Sequence, residues 1–323
     1  MTIFANVLKF ILSIEMINRS HIRQKVVQVV YINALDKSQC NILDSLKFLN
    51  QSLDSTYSLY KLLLYIPVLV QRYAVKSINH RDKFSPGHVL MKERLFAGNM
   101  VVEQLSRNLI LADEFGQEVP EWIGEGHFIA DVYNTIVSSV ALENYQANSA
   151  DLSDDEKYKA DKDLLVSLYK ECMIDNATVD TALEEQNIYW NEDKDYVDSF
   201  ILKTIKGFKK ENGQMQQILP MYSEKETDNF EYAENLLTDV IRNFDEYTGM
   251  INSHIGTQWE MGRIALFDTA VIATGISEMK SFPEIPVVVT INEYVELAKL
   301  YSTPKSSAFV NGILENIRKE FGK

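Results

Sequence analysis

A chain of 323 residues with 46% hydrophobic and 24% charged side chains has the make-up of a folded globular protein, which excludes a disordered or collagen-like chain. It is long enough for one large core or two ordinary ones, and 13 glycines with seven prolines are few, so long helices and an all-α fold are expected. The formal net charge of −14 is uneven: residues 1–150 hold 14 basic and 14 acidic side chains, 151–246 hold 11 and 24, and 247–323 hold 7 and 8. Acidity spread evenly would count against nucleic-acid binding, whereas this distribution leaves room for a local basic face.

The first stretch, Met1–Glu15, is apolar but too short to span a bilayer as a helix, and it lacks the features of a signal peptide. It reads as an extra turn or tail, with Met16 as an alternative natural start. Residues 16–35 form an amphipathic helix whose buried stripe is Ile22, Val26, Val29 and Val30. His21, Gln24, Lys25, Gln28 and Tyr31 are expected to project away from that stripe, with Arg19 and Arg23 one turn apart on its flank. No acidic residue occurs between Met16 and Leu35. From Asn41 to Asn79 a leucine- and tyrosine-rich helical pattern continues, with Pro67 expected to kink or break it near Ile66. Residues 80–87 read as a loop. Helical patterns follow at 89–115, 127–147, 154–174, 178–190 and 195–209.

The C-terminal third is the most legible part. Residues 226–255 make a long amphipathic helix on Phe230, Ala233, Leu237, Val240, Ile241, Phe244 and Ile251. After Trp259 comes a helix apolar on nearly all sides, carrying Ile264, Phe267, Val271, Thr274 and Met279, and such a helix is central and buried. Thr290 to Glu293 reads as a capping box, with Val289 and Tyr294 placed for a hydrophobic staple. The last helix is read with Thr303 as its cap and Pro304 at its first position, and with Phe309, Ile313, Ile317 and Phe321 as its buried stripe. Gly312 inside it suggests close approach of a neighbour or ligand.

The runs W-x-x-x-R-I-A-x-x-D (259–268), I-N-E-Y-V-E-L-A-K-x-Y (291–301) and A-F-V-N-G-I-L-E (308–315) together resemble the C-terminal half of the NusB family of bacterial transcription antitermination factors. Residues 16–35 resemble that family's basic first helix, with Ser20 and His21 where arginines are common. The resemblance implies a NusB-type all-α helical bundle of two packed helical subdomains, with an extra helical insertion over 36–225. The chain then divides into an N-terminal helical region, 1–225, and a NusB-type core, 226–323. By the same resemblance the protein acts in transcription antitermination and termination, binding the boxA element of nascent ribosomal RNA with the small-subunit ribosomal protein that acts as NusE. RNA polymerase would be engaged indirectly. The implied RNA surface is Arg19, Arg23, Lys25, Gln28 and Tyr31 from the first helix with Tyr301, Lys305, Ser306 and Phe309 from the turn before the last. Such a set combines phosphate attraction with rings that can stack unpaired bases. Asp268 and Glu278 are the implied contacts to NusE, as exposed carboxylates facing a basic protein.

Enzyme chemistry is not expected. There is no phosphate-binding glycine loop, no nucleophile elbow and no nucleophile paired with a base. NusB-like domains fused to RNA cytosine methyltransferases need a downstream α/β domain, and with the chain ending at Lys323 that version is not expected. Cys40 and Cys172 are isolated, and the histidines at 21, 80, 88, 127 and 254 form no ligand pattern. No metal, cofactor or membrane partner is therefore expected, and a reducing cytoplasm is the simplest compartment. A scaffold that kept the bundle but lost RNA binding is the alternative, supported by the thinned arginine cluster and the acidic segment 151–246.

Overall fold

The structure, a computed structural model, describes residues 16–36, 41–84, 87–116, 120–124, 127–190, 192–222, 228–255 and 264–321. The readings of Met1–Glu15, of Cys40 and of residues 259–263 lie outside them. The helices are α1 (Arg19–Leu35), α2 (Ile42–Phe84), α3 (Met91–Ala97), α4 (Met100–Ser106), α5 (Leu109–Phe115), α6 (Glu121–Gly124), α7 (Phe128–Ser138), α8 (Val140–Asn148), α9 (Asp154–Cys172), α10 (Ala177–Gln186), α11 (Lys194–Gly207), α12 (Asp228–His254), α13 (Leu266–Ser281), α14 (Val287–Tyr301) and α15 (Ser306–Glu320). A 3₁₀ segment, Lys210–Met215, follows α11. No strand occurs among the described residues, so the fold is all-α as expected. Among them, too, no helix is long and apolar enough to cross a membrane.

Two compact units result, one of Met1–Asp54 with Pro220–Lys323 and one of Ser55–Leu219. In the first, α13 is the central helix: every residue from Ala270 to Met279 is buried. Around it pack α1, α12, α14 and α15. Val27, Tyr247, Ile251, Ile272, Ile276, Tyr294, Val310 and Leu314 are part of the core they share. Before α1, the Met16 and Ile17 N–H groups donate to the Pro220 and Met221 carbonyls at 3.0 and 2.8 Å, which seats this segment beside the chain returning at 220.

The second unit buries its own core, including Leu59, Tyr60, Tyr65, Phe96, Leu105, Leu165 and Ile201. Its many acids are partly structural. Asp198 accepts from Tyr169 Oη at 2.6 Å and Lys194 Nζ at 3.0 Å, and Asp161 accepts from the Met100 N–H at 2.7 Å.

Several local expectations are corrected. Helix α2 runs through Pro67 and continues to Phe84, so the predicted break near Ile66 and most of the predicted 80–87 loop are helix. A proline there forfeits one backbone bond, but Leu62 to Val70 are buried almost throughout, and that burial outweighs it. The 89–115 pattern is three short helices, because the Asn99 and Asn108 side chains cap α4 and α5. Ser139 likewise divides 127–147 into α7 and α8. The capping box at Thr290 does not form: α14 starts at Val287, and Val289 is 43% exposed rather than stapled. Helix α15 starts at Ser306 rather than Pro304, after a turn closed by the Ser306 N–H on the Thr303 carbonyl at 2.9 Å.

Gly312 is not a point of close approach, since a Cβ there would meet nothing within 4 Å, whereas a Cβ on Gly275 would come within 3.1 Å of Leu314 Cδ2 and 3.2 Å of Tyr294 Cδ2. Gly312→Ala should therefore stabilise the protein by about 1 kcal/mol, raising the thermal midpoint by roughly 2–4 °C. Gly275→Ala should lower the midpoint, because crowding of about 1–3 kcal/mol outweighs the helix-propensity gain where Leu314 is buried and the Tyr294 ring is tethered. Thermal unfolding of both variants checks the opposite signs.

Candidate functional site

The N-terminus of α1 is set by Asn18, whose side chain accepts from the His21 N–H at 3.0 Å. Because α12 and α13 both pack on this helix, its buried arc is wider than one apolar stripe. His21, Arg23 and Lys25 are buried along with Ile22, Val26, Val29 and Val30. The expectation that His21 and Lys25 project away from the core is thereby overturned. Burial, and then the nearby Lys25 charge, hold His21 well below its ordinary pKa, so its ring is neutral at pH 7.

Arg23 reaches Glu278 in α13 through two hydrogen bonds, from Nε at 2.7 Å and Nη2 at 2.9 Å. Glu278 also accepts from Tyr232 Oη at 2.5 Å, Thr290 Oγ1 at 2.7 Å and Tyr294 Oη at 3.0 Å, so three helices, α1, α12 and α14, converge on one carboxylate of α13. The Arg23 side chain is 5% exposed and that of Glu278 is 0% exposed. Burial alone would raise the Glu278 pKa, but the bonds and charge of Arg23 and the tyrosine and threonine hydroxyls overcome it and hold the carboxyl below the ordinary 4.5. Burial and the Glu278 charge push the Tyr232 and Tyr294 hydroxyls up, keeping both as donors.

A second group of the predicted residues stays accessible and comes together. Gln24 Nε2 donates to Tyr301 Oη at 2.5 Å, tying the middle of α1 to the end of α14. Tyr31 meets Phe267 edge-on at 5.6 Å, and Phe267 meets Tyr301 at 5.9 Å, which makes a continuous aromatic run. Tyr31, Tyr301 and Gln28 are half-buried and Lys305 is exposed. Phe309 is half-buried and packs against the core. Arg19 is partly exposed, lies over the Tyr232 ring at 4.9 Å and stands 3.9 Å from Glu284. Ser306 is buried rather than presented, and its hydroxyl donates to Asp268 Oδ2 at 2.7 Å. The Ser302 and Thr303 hydroxyls both lie 2.9 Å from Ser306 Oγ, which fixes the turn.

Asp268 is 5% exposed and Glu278 fully buried, so neither is the exposed carboxylate expected for a partner contact. Reading α13 as the central helix already implied this, since a helix buried on every side presents no acid to a partner. Four residues of the assembled face escaped the motif reading: Gln24, Phe267, Ser302 and Thr303. Only the 24–28–31 spacing along one face of α1 pointed to Gln24. Among the described residues no group of three or more His, Cys, Asp or Glu side chains could hold a metal ion.

The family model described as the NusB family matches residues 200–319. A transcription antitermination protein NusB from Salinibacter ruber is 32% identical over 123 residues, covering 36% of this chain and 75% of the relative. The chain belongs to the NusB family. NusB proteins of Bacillus pumilus and Bacillus subtilis are 39% and 38% identical over 97 residues, each match covering 30% of this chain and 72% of the relative. No solved structure matches. The matched NusB segment, 200–319, holds α12 to α14 and nearly all of α15, so Tyr232, Glu278, Thr290, Tyr294 and the Tyr301 turn lie on it, while Arg23 and Gln24 of α1 lie outside it.

A buried pair of this kind is costly to break on one side only. Arg23→Met should destabilise by about 3–5 kcal/mol, because it strands the Glu278 carboxylate, while Arg23→Met with Glu278→Met should lose much less than the sum of the single losses. Since the folded pKa of Glu278 is depressed, its contribution is present above about pH 4.5 and is lost as pH falls through the lower folded value. Denaturant titrations from pH 7 to pH 3 should show a steeper acid loss in wild type than in the double variant.

Proposed function

We propose that this protein is a transcription antitermination factor that binds boxA-type single-stranded RNA of nascent ribosomal transcripts. It would act with the small-subunit ribosomal protein NusE and, through that assembly, on the RNA polymerase elongation complex. The observation that carries the reading is the joining of α1 to the turn before α15, through Gln24 on Tyr301 and the Tyr31–Phe267–Tyr301 run. These are the two segments that form the RNA surface implied by the NusB resemblance. Within that surface the differing burial supports unequal roles. Arg19 and Lys305 supply phosphate attraction, Gln28 polar contact, and Tyr31 and Tyr301 rings for base stacking. Arg23, Lys25 and Ser306 hold the surface in place from beneath. Phe309 supports the turn with one face and is available to a base with the other.

The role is a binding one and no catalytic residue is assigned. NusE as partner is supported by the family rather than by Asp268 or Glu278. Asp268→Lys would put an ammonium in place of the buried carboxylate that accepts from Ser306 and so disturb the fold, which makes it no clean test of that contact. Residues 55–219 are read as an insertion into the NusB-type bundle formed by the other unit. The scaffold reading keeps one specific support: burial of Arg23 and Lys25 leaves fewer cations at the surface than the sequence pattern suggested.

Binding of a boxA-containing single-stranded RNA across a salt series separates the two. Arg19→Ala with Lys305→Ala should weaken binding and flatten the log-affinity against log-salt slope by roughly 1.4, the value for two phosphate contacts on a single strand. Tyr301→Ala should weaken binding with little change in slope. Wild-type affinity at every salt concentration in both variants would hand the lead to the scaffold reading.

A further inference from the structure

The second unit carries a basic face that only the structure assembles. No acidic residue occurs between Asp54 and Asp82, although the unit as a whole is acidic, with 17 basic and 26 acidic side chains over 55–219. Because α2 continues unbroken to Phe84, the residues that a loop at 80–87 would have scattered stay in helical register with those before them. At about 100° per residue, Arg72, Lys76 and Lys83 fall within an arc of roughly 40°, with His80 about 40° beyond it, over about 16 Å of helix. All four are exposed.

Among the described residues, the carboxylates of Asp82 and Glu93 are already held by other partners. Asp82 is held by Arg94 Nη2 at 2.6 and 2.8 Å. Glu93 is held by Arg81 and by Tyr133 Oη. Among the described residues, Arg72, Lys76 and Lys83 have no carboxylate within ion-pair distance; Arg72 instead lies 5.5 Å over the Tyr65 ring and Lys83 5.2 Å over the Phe84 ring. Aromatic rings border the cations on one side. Phe84 is 64% exposed and tilts against His80 at 4.7 Å, and Tyr73 is 39% exposed. A polyanion without bases would use the cations and leave the rings in water. A single-stranded nucleic acid uses both, its phosphates on the cations and its unpaired bases on the rings.

We propose that this face of α2, centred on Arg72, Lys76 and Lys83 with Phe84 and Tyr73 at its border, is a second RNA-binding surface. It takes single-stranded RNA without sequence preference, through backbone phosphates and base stacking. It belongs to the second unit, shares no residue with the boxA reading and does not depend on that reading being correct. Binding through phosphates and stacking alone should strengthen with RNA length.

The test uses the full chain and a labelled oligo-uridylate of about 30 nucleotides, which contains no boxA sequence. Wild type should bind it with a salt-dependent affinity. Arg72→Gln, Lys76→Gln and Lys83→Gln combined should flatten the log–log salt slope by about 2, at 0.7 for each single-strand phosphate contact. Phe84→Ala should weaken binding without changing the slope, and as an exposed side chain its removal leaves the fold intact. The Arg19→Ala, Lys305→Ala variant should keep the triple-glutamine-sensitive binding, so that failure of the boxA reading and failure of this one are seen separately. Oligo-uridylate binding indistinguishable between wild type and the triple variant overturns the proposal. Competition by polyglutamate as effective as that by unlabelled oligo-uridylate overturns it as well, and assigns the face to an acidic protein.

Discussion

The bundle unit is built around a buried charge. Glu278 sits in the middle of the central helix α13, fully removed from water, and is held there by Arg23, Tyr232, Thr290 and Tyr294. An isolated carboxylate in that position would be strongly disfavoured as the charged form, and its donors offset that cost from α1, α12 and α14. The pair is better understood as a registration device than as a source of stability. Well-packed apolar residues could stabilise the same space as well or better, but they would not specify which turn of α1 faces which turn of α13.

That registration has a consequence at the surface. With Arg23 locked inward, Gln24 and Tyr31 are rotated toward α14 and the turn that follows it. Gln24 meets Tyr301, and Tyr31 meets Phe267, at positions that follow from where Arg23 is anchored. The same arrangement withdraws Arg23 and Lys25 from solvent, so the surface gains geometry and loses charge. On the proposed RNA-binding reading, affinity at this face would lean on stacking more than on counterion release, with a weaker salt dependence than a denser arginine cluster would give. The second unit carries Arg72, Lys76 and Lys83 exposed on α2.

Asp268 and Ser306 repeat the theme on a smaller scale. A buried acid in the first turn of α13 suits the positive end of that helix, and it takes the Ser306 hydroxyl, which in turn receives Ser302 and Thr303. The turn before α15 is thus held by a hydroxyl chain ending on a carboxylate, which fixes Lys305 at the mouth of the helix.

The sequence by itself determined the all-α class, the central position of α13 and the family, because helical periodicity and motif spacing are local properties of the chain. It located most helices and placed Ile22, Val26, Val271 and Ile313 inside. Tertiary structure decided which polar residues are inside with them. Arg23, Lys25, Asp268, Glu278 and Ser306 all look like surface residues when read singly, since the cost of burying a polar group is cancelled only by partners distant in the chain; Arg23 and Glu278 are 255 residues apart in number. The same holds for Pro67, where a local rule for ending helices lost to burial of the surrounding leucines. It holds for Thr290, which gave up a capping role for a bond to Glu278. Local chemistry proposes each of these positions, and long-range hydrogen bonding and burial decide between the proposals.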